Sequence, residues 1–186
     1  MHEQDRRYRF TWDLIGDIRE GRPNLGNLAR VEVYRLMQFC IRDVLEKELG
    51  SEAADSFFYD AGKLAGKEIY RQFFNDSNDI NDFINRLYRL LKDLGIGILR
   101  IEDIDIEKGE MTLTVSEDLD CSGLPENGLT ICTYDEGFIC ALIESFTNIA
   151  FKVKEIDCWC SGNRTCRFHA KALDYPLSGK GSQQND

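Results

Sequence analysis

The sequence predicts an α+β fold, with helices packed on an antiparallel sheet. Three observations predict it. Apolar residues recur at three- and four-residue spacing from about residue 31 to 94. The period then drops to two around Met111–Ser116, where Met111, Leu113 and Val115 alternate with Thr112, Thr114 and Ser116. One further helix-length apolar stretch separates this region from a last pair of short strand-like runs. Helices segregated from antiparallel strands are the mark of that class.

The elements follow in order. Residues 1–29 are mixed, punctuated by Arg22-Pro23-Asn24 and Gly26, and read as an N-terminal extension with a short strand or helix and a role in dimer formation. Val31–Leu49 is a helix, with Val33, Leu36, Met37, Cys40, Ile41, Val44 and Leu45 on one stripe and Gly50 as its stop. Ser51 caps a second helix to about Phe74, whose apolar side includes Phe57, Phe58, Ala61, Leu64, Ala65 and Ile69. In it, Gly62 and Gly66 permit another backbone to approach closely, which we read as helix packing. The Asp-rich break at 76–82 lacks the turn glycine of a calcium loop and is read as capping. A third helix carries Ile80, Phe83, Ile84, Leu87, Leu90 and Leu91 to Leu94 and Gly95. Two strands, Ile96–Glu107 and Met111–Ser116, flank Lys108-Gly109. After an irregular loop, a fourth helix spans Asp135–Ala150. Phe151–Asp157 and Thr165–Leu173 form the last hairpin, around Ser161-Gly162-Asn163. The tail, 174–186, is rich in Ser, Gly and Gln and reads as disordered.

The net charge of −10 narrows the function. Residues 101–136 carry eleven acids (Glu102, Asp103, Asp105, Glu107, Glu110, Glu117, Asp118, Asp120, Glu126, Asp135 and Glu136) against Lys108 alone, so this segment holds the whole imbalance. Nucleic-acid and anionic-membrane binding need clustered Lys and Arg, so neither is expected. The acidic run reads as a solvated edge, where strand charges also discourage edge pairing. No apolar stretch suits a bilayer span or a secretory leader, so a cytoplasmic protein is expected. Seven cysteines in that compartment point to metal or buried thiols rather than disulfides.

The chemistry concentrates in residues 154–168. Glu155, Cys158 and Cys166 fall across one hairpin, and soft sulfur with one oxygen suits tetrahedral zinc. A fourth ligand must come from elsewhere: Cys132, just before the fourth helix, is the best placed, with Cys160 and His169 as rivals. Cys40 and Cys140 read as core residues, Cys121 as an exposed loop thiol, and His169 as a surface histidine. No nucleophile elbow, phosphate loop or dinucleotide fingerprint is present, and no catalytic residue is assigned.

The Glu155-x-x-Cys158-x(7)-Cys166-x-Phe168 hairpin, with Cys132 upstream and a preceding helix block, resembles the 4-vinyl reductase (4VR) domain family over roughly residues 30–172. The resemblance implies a structural zinc on Cys132, Glu155, Cys158 and Cys166. It also implies a fold related to haem nitric-oxide sensors and a vesicle-tethering subunit, a homodimer, and a hydrophobic cavity between helices and sheet. Phe57, Phe58, Phe83, Met111, Phe138 and Trp159 are the expected pocket residues. Phenol-sensing relatives hold a hydroxyl with His and Trp; ungapped carry-over puts Phe83 and Met111 there, which favours a more apolar ligand. The expected function is a stand-alone hydrophobic- or aromatic-ligand sensor (domain 30–173). An enzyme or carrier in tetrapyrrole metabolism and a protein-interaction module are the alternatives.

Overall fold

The computed structural model describes residues 7–173, so the tail expected at 174–186 lies outside the described residues. The chain divides into two compact units after Ile41. The first contains a 3-10 turn at Trp12–Ile15 and a short helix, α1 (Ile18–Gly21), whose N-cap Asp17 accepts from the N–H groups of Arg19 and Glu20. The long helix α2 (Val31–Leu49) begins in the first unit and ends in the second.

Helix α2 forms where its periodicity predicts, but it buries no residue. Val33, Leu36, Met37, Ile41 and Val44 are all exposed. Cys40 is therefore not a core thiol; it is exposed, because it belongs to a stripe that no described element covers.

The second unit is built around α3 (Ser51–Phe73), α4 (Ile80–Asp93), α5 (Thr133–Thr147) and a four-stranded sheet. The cap of α3 differs from expectation. Its N-cap is Gly50, at φ 86°, and the Ser51 hydroxyl instead donates to the Glu46 carboxylate at 3.1 Å. In α4 the side chain of Asp79 accepts from Asp82 N–H, so the Asp-rich break does cap a helix.

The sheet comprises β1 (Ile98–Asp105), β2 (Glu110–Ser116), β3 (Phe151–Asp157) and β4 (Cys166–Ala172) in the order β1-β2-β4-β3, antiparallel throughout. Leu113 pairs with Phe168 and Val115 with Cys166 across its centre. On the edge strand β1, a bulge between Ile101 and Asp103 and the Glu102–Arg167 ion pair, at 2.8 Å, break the regular ladder. That is the edge protection expected of this acidic strand.

Helix α5 lies between α3 and strand β3, which explains why every residue from Asp135 to Ile143 is buried. The α3–α5 contact is backbone to backbone. A Cβ on Gly62 would sit 2.0 Å from Tyr134 O, and one on Gly137 2.0 Å from Tyr59 O. Gly62 and Gly66 thus serve packing, and Gly137 is their counterpart on α5.

Candidate metal centre and apolar cavity

Four cysteines converge between the start of α5 and the β3–β4 hairpin. The Sγ atoms of Cys121, Cys132, Cys158 and Cys166 all lie within 4.8 Å of one another, and all four residues are buried. Cys132 is the N-cap of α5. Cys158 ends the β3 side of the hairpin, where its N–H donates to Ser161 Oγ at 3.0 Å and its carbonyl accepts from Asn163 N–H. The expected turn is a 3-10 turn over Trp159–Ser161 followed by Gly162 at φ 97°. Cys166 opens β4.

Cys121 corrects the sequence reading: it is fully buried rather than exposed in its loop. The loop is folded inward by an Asx turn, in which Asp118 Oδ1 accepts from the N–H groups of Asp120 and Cys121 at 2.8 and 3.1 Å. Leu119 N–H also donates to Ile96 O, tying the loop to the start of the sheet. The signal was present as Asp118-x-Asp120-Cys121, an acid placed to bond backbone two and three residues on. The acidic run is likewise not all solvated, since Asp118, Asp120, Asp135 and Glu136 are buried.

The sulfur spacing matches a cation's needs. Zn–S bonds of ~2.3 Å at tetrahedral corners place sulfurs ~3.8 Å apart. Cys132 Sγ lies 3.9 Å from Cys158 Sγ and 3.8 Å from Cys166 Sγ, while Cys121 and Cys166 approach to 3.0 Å. Hydrogen bonds from Cys121, Cys132 and Cys166 pull the Cys158 thiol far below its ordinary value. Contact with Cys121, foremost, pushes Cys132 and Cys166 up. One buried space can hold several thiolates only around a cation, so the donor set fits a soft divalent metal.

Glu155 stands beside the four sulfurs. Its Oε2 accepts the Cys132 N–H at 3.0 Å, and its Oε1 is buried without a partner. Burial pushes its carboxyl up to about 8 against the bond from Cys132. Cys160 is buried but outside the four-sulfur group, and its carbonyl accepts from Asn127 and Gly128 N–H. His169 is half-exposed on β4 beside Glu110, at 3.7 Å. Cys140 is a core thiol 3.2 Å from Phe151 O.

An apolar cavity of about 50 Å³ lies between α4, α5 and the face of β1 and β2. Of the expected pocket residues, Phe83, Met111 and Phe138 line it, and Phe146 stacks on Phe83 with centroids 4.5 Å apart. Phe57, Phe58 and Trp159 do not line it. Phe57 is exposed on α3, Phe58 lies under the Arg42 guanidinium, and Trp159 donates to Leu124 O with Arg164 over its ring. Aromatic type alone could not separate these six; the stripe shared with Leu87, Leu142 and Phe146 does. At one end of the cavity stand Asp118 and Asp135, which the sequence reading assigned to a solvated edge. Burial, and then the charge of Asp120, pushes Asp118 up to about 7. Asp135 is raised well above the carboxylate range, by burial first and Asp118 next.

This fold and site define an α+β domain whose C-terminal hairpin is joined by buried thiols to the start of its last helix. Residues 111–172 match the model of the 4-vinyl reductase (4VR) domain, and over that segment the chain belongs to the 4VR family. It is 28% identical to the uncharacterized protein MJ0150 of Methanocaldococcus jannaschii, over 87% of this chain and 86% of that one. Among solved structures, the phenol-responsive sensory domain of the transcription activator PoxR, bound to phenol, superposes with a TM-score of 0.60 at 16% identity, over 79% of this chain and 76% of that one. A vinyl-4-reductase family protein of Methanocaldococcus jannaschii gives 0.58 at 19%, over 90% and 99%. Subunit 3 of a trafficking protein particle complex from Naegleria fowleri gives 0.59 at 11%, over 78% and 96%. At these identities the likeness is one of fold, and it includes the vesicle-tethering relationship expected from the sequence. No helix among the described residues is long and apolar enough to cross a membrane.

Proposed function

We propose that this protein is a small-molecule sensing domain with a structural zinc, acting in the cytoplasm as a homodimer. The observation that carries the reading is the cavity between α4, α5 and the sheet, lined almost entirely by apolar side chains. Phe83 and Met111, standing where the family resemblance expects polar ligand-holding residues, both face it. At about 50 Å³ it is well below the roughly 150 Å³ that accepts benzene. A small apolar ligand fits with little change, and an aromatic one enters by displacing α4. A macrocyclic tetrapyrrole finds no support in so narrow a space.

Zinc would be held by Cys121, Cys132, Cys158 and Cys166, with Glu155 as the alternative fourth ligand through its unpartnered Oε1. Four protein ligands leave no open position, so the ion would supply folding energy and fix the hairpin against α5 rather than activate water. The dimer reading is supported by the exposed stripe of α2. Ligand-dependent thermal stabilisation tests the sensor reading. A ligand at 100 times its Kd adds about 2.7 kcal/mol. A panel of small hydrocarbons and phenols that leaves Tm unmoved would refute it.

A further inference from the structure

The cavity runs along a single stripe of α5. Asp135, Phe138, Ile139, Leu142, Ile143 and Phe146 all line it, at helical spacing, over about 17 Å by the rise of an α-helix. Five of the six are apolar. The first is a carboxylate in the opening turn of the helix, only 8% exposed, whose Oδ2 is buried without a hydrogen-bond partner. Asp118, 3% exposed, lines the same end. Among the described residues, no Lys, Arg or His lines the cavity. The groups gathered around this end are acidic: Asp120 and Glu155 are buried nearby, and Cys132 Sγ lies within 4.8 Å of the Asp118 and Asp135 oxygens.

An acceptor that is buried, unpartnered and at the closed end of an apolar slot needs a donor to complete it. No donor among the described residues reaches Asp135 Oδ2, so the donor belongs to whatever fills the slot. We infer that the cavity is built for an apolar amine, its hydrocarbon body along the α5 stripe and its ammonium group on Asp135, with Asp118 as the second carboxylate. An ammonium offers three donors and a charge opposite to its surroundings. A hydroxyl supplies one donor without the charge, and a carboxylate is repelled. Charge-assisted hydrogen bonds are roughly twice as strong as neutral ones, which sets the order amine, alcohol, acid.

This inference rests on the cavity being the ligand site. The test separates the two by isothermal titration of metal-loaded protein with pentylamine, 1-pentanol and pentanoate at neutral pH. The amine is expected to bind at least about tenfold more tightly than the alcohol, and the acid not to bind. Asp135→Asn should remove the amine's advantage, leave the alcohol unchanged and keep the metal content. Ile143→Phe, which fills the slot far from Asp135, should abolish binding of both and likewise keep the metal; it also covers the case in which Asp135→Asn fails to fold. Equal affinity for amine and alcohol would overturn the inference and leave the cavity reading standing. No binding by any of the three would overturn both. Loss of bound metal in folded Asp135→Asn would assign Asp135 to the metal centre and overturn the amine site.

Discussion

Replacing Gly137 by alanine tests the packing on which the site depends. A Cβ at this position would lie 2.0 Å from Tyr59 O and 3.0 Å from Lys63 N, both backbone atoms of α3. Ordinary contact begins near 3.4 Å. The two helices would therefore have to separate by more than an ångström. Neither side can yield by a rotamer change, since the obstacle is a helix carbonyl. Over-packing of this kind costs about 1–3 kcal/mol, and the absence of a soft neighbour puts Gly137→Ala at the upper end. Alanine's helix propensity returns at most about 1 kcal/mol. A net loss of about 2 kcal/mol lowers Tm by roughly 4–8 °C in a chain of this length. Gly21→Ala, a helical glycine with open space around it, is the control and should be neutral. Because α5 begins at Cys132, the strain should also reach the thiol cluster, and metal release by a chelator should be faster in Gly137→Ala. Denaturation midpoints measured on metal-loaded protein decide the matter: Gly137→Ala with the stability of the parent would mean that α3 and α5 do not cross at these glycines.

Three further outcomes are expected. Cys121→Ser should hold less than about half an equivalent of zinc by elemental analysis, whereas Glu155→Gln should keep close to one; the reverse pattern would make Glu155 the fourth ligand. Metal-loaded native protein should react with a thiol reagent at Cys40 alone, the exposed cysteine, and at all seven after chelation and unfolding. Ready labelling of four or five thiols in the metal-loaded state would contradict the closed cluster. Burial alone would raise the Glu144 carboxyl, but its ion pair with Lys63 at 2.7 Å and the Phe151 N–H outweigh this and hold it below its ordinary value of 4.5. A depressed carboxyl stabilises the fold above the unfolded-state value and loses that contribution as pH falls. The stability gap between the parent and Glu144→Gln should therefore close as pH drops from about 5 toward 3; a gap independent of pH would refute the pairing.

The fold and the site were legible to different depths, for physical reasons. Periodicity placed all four strands and the long helices, because burial of one face dictates it. It could not tell which buried face has a partner. The stripe of α2 reads like that of α4, yet α4 covers the cavity while α2 covers nothing described. Three of the four clustered sulfurs were visible because Cys158 and Cys166 share a hairpin and Cys132 precedes a helix. Cys121 was missed because it sits in a loop whose path is set by one Asx turn at Asp118, a local hydrogen-bond choice that composition presents as polar and exposed. Asp135 was misread for the same reason. Within an acidic run it counts as one more solvated charge, and only its place in the first turn of a helix buried on all sides takes it out of water. Both errors run in one direction. Where a chain buries polar groups, it does so against its own composition, and such exceptions gather where a ligand or an ion is needed to satisfy them. The two unpartnered buried carboxylate oxygens, Glu155 Oε1 and Asp135 Oδ2, stand on either side of Cys132 in this sense. One faces the hairpin thiols and the other the apolar slot, so α5 couples the two sites through its first turn. Occupancy of the slot should then alter the rate at which chelators remove metal, and an amine that binds without changing that rate would show the two sites to be independent.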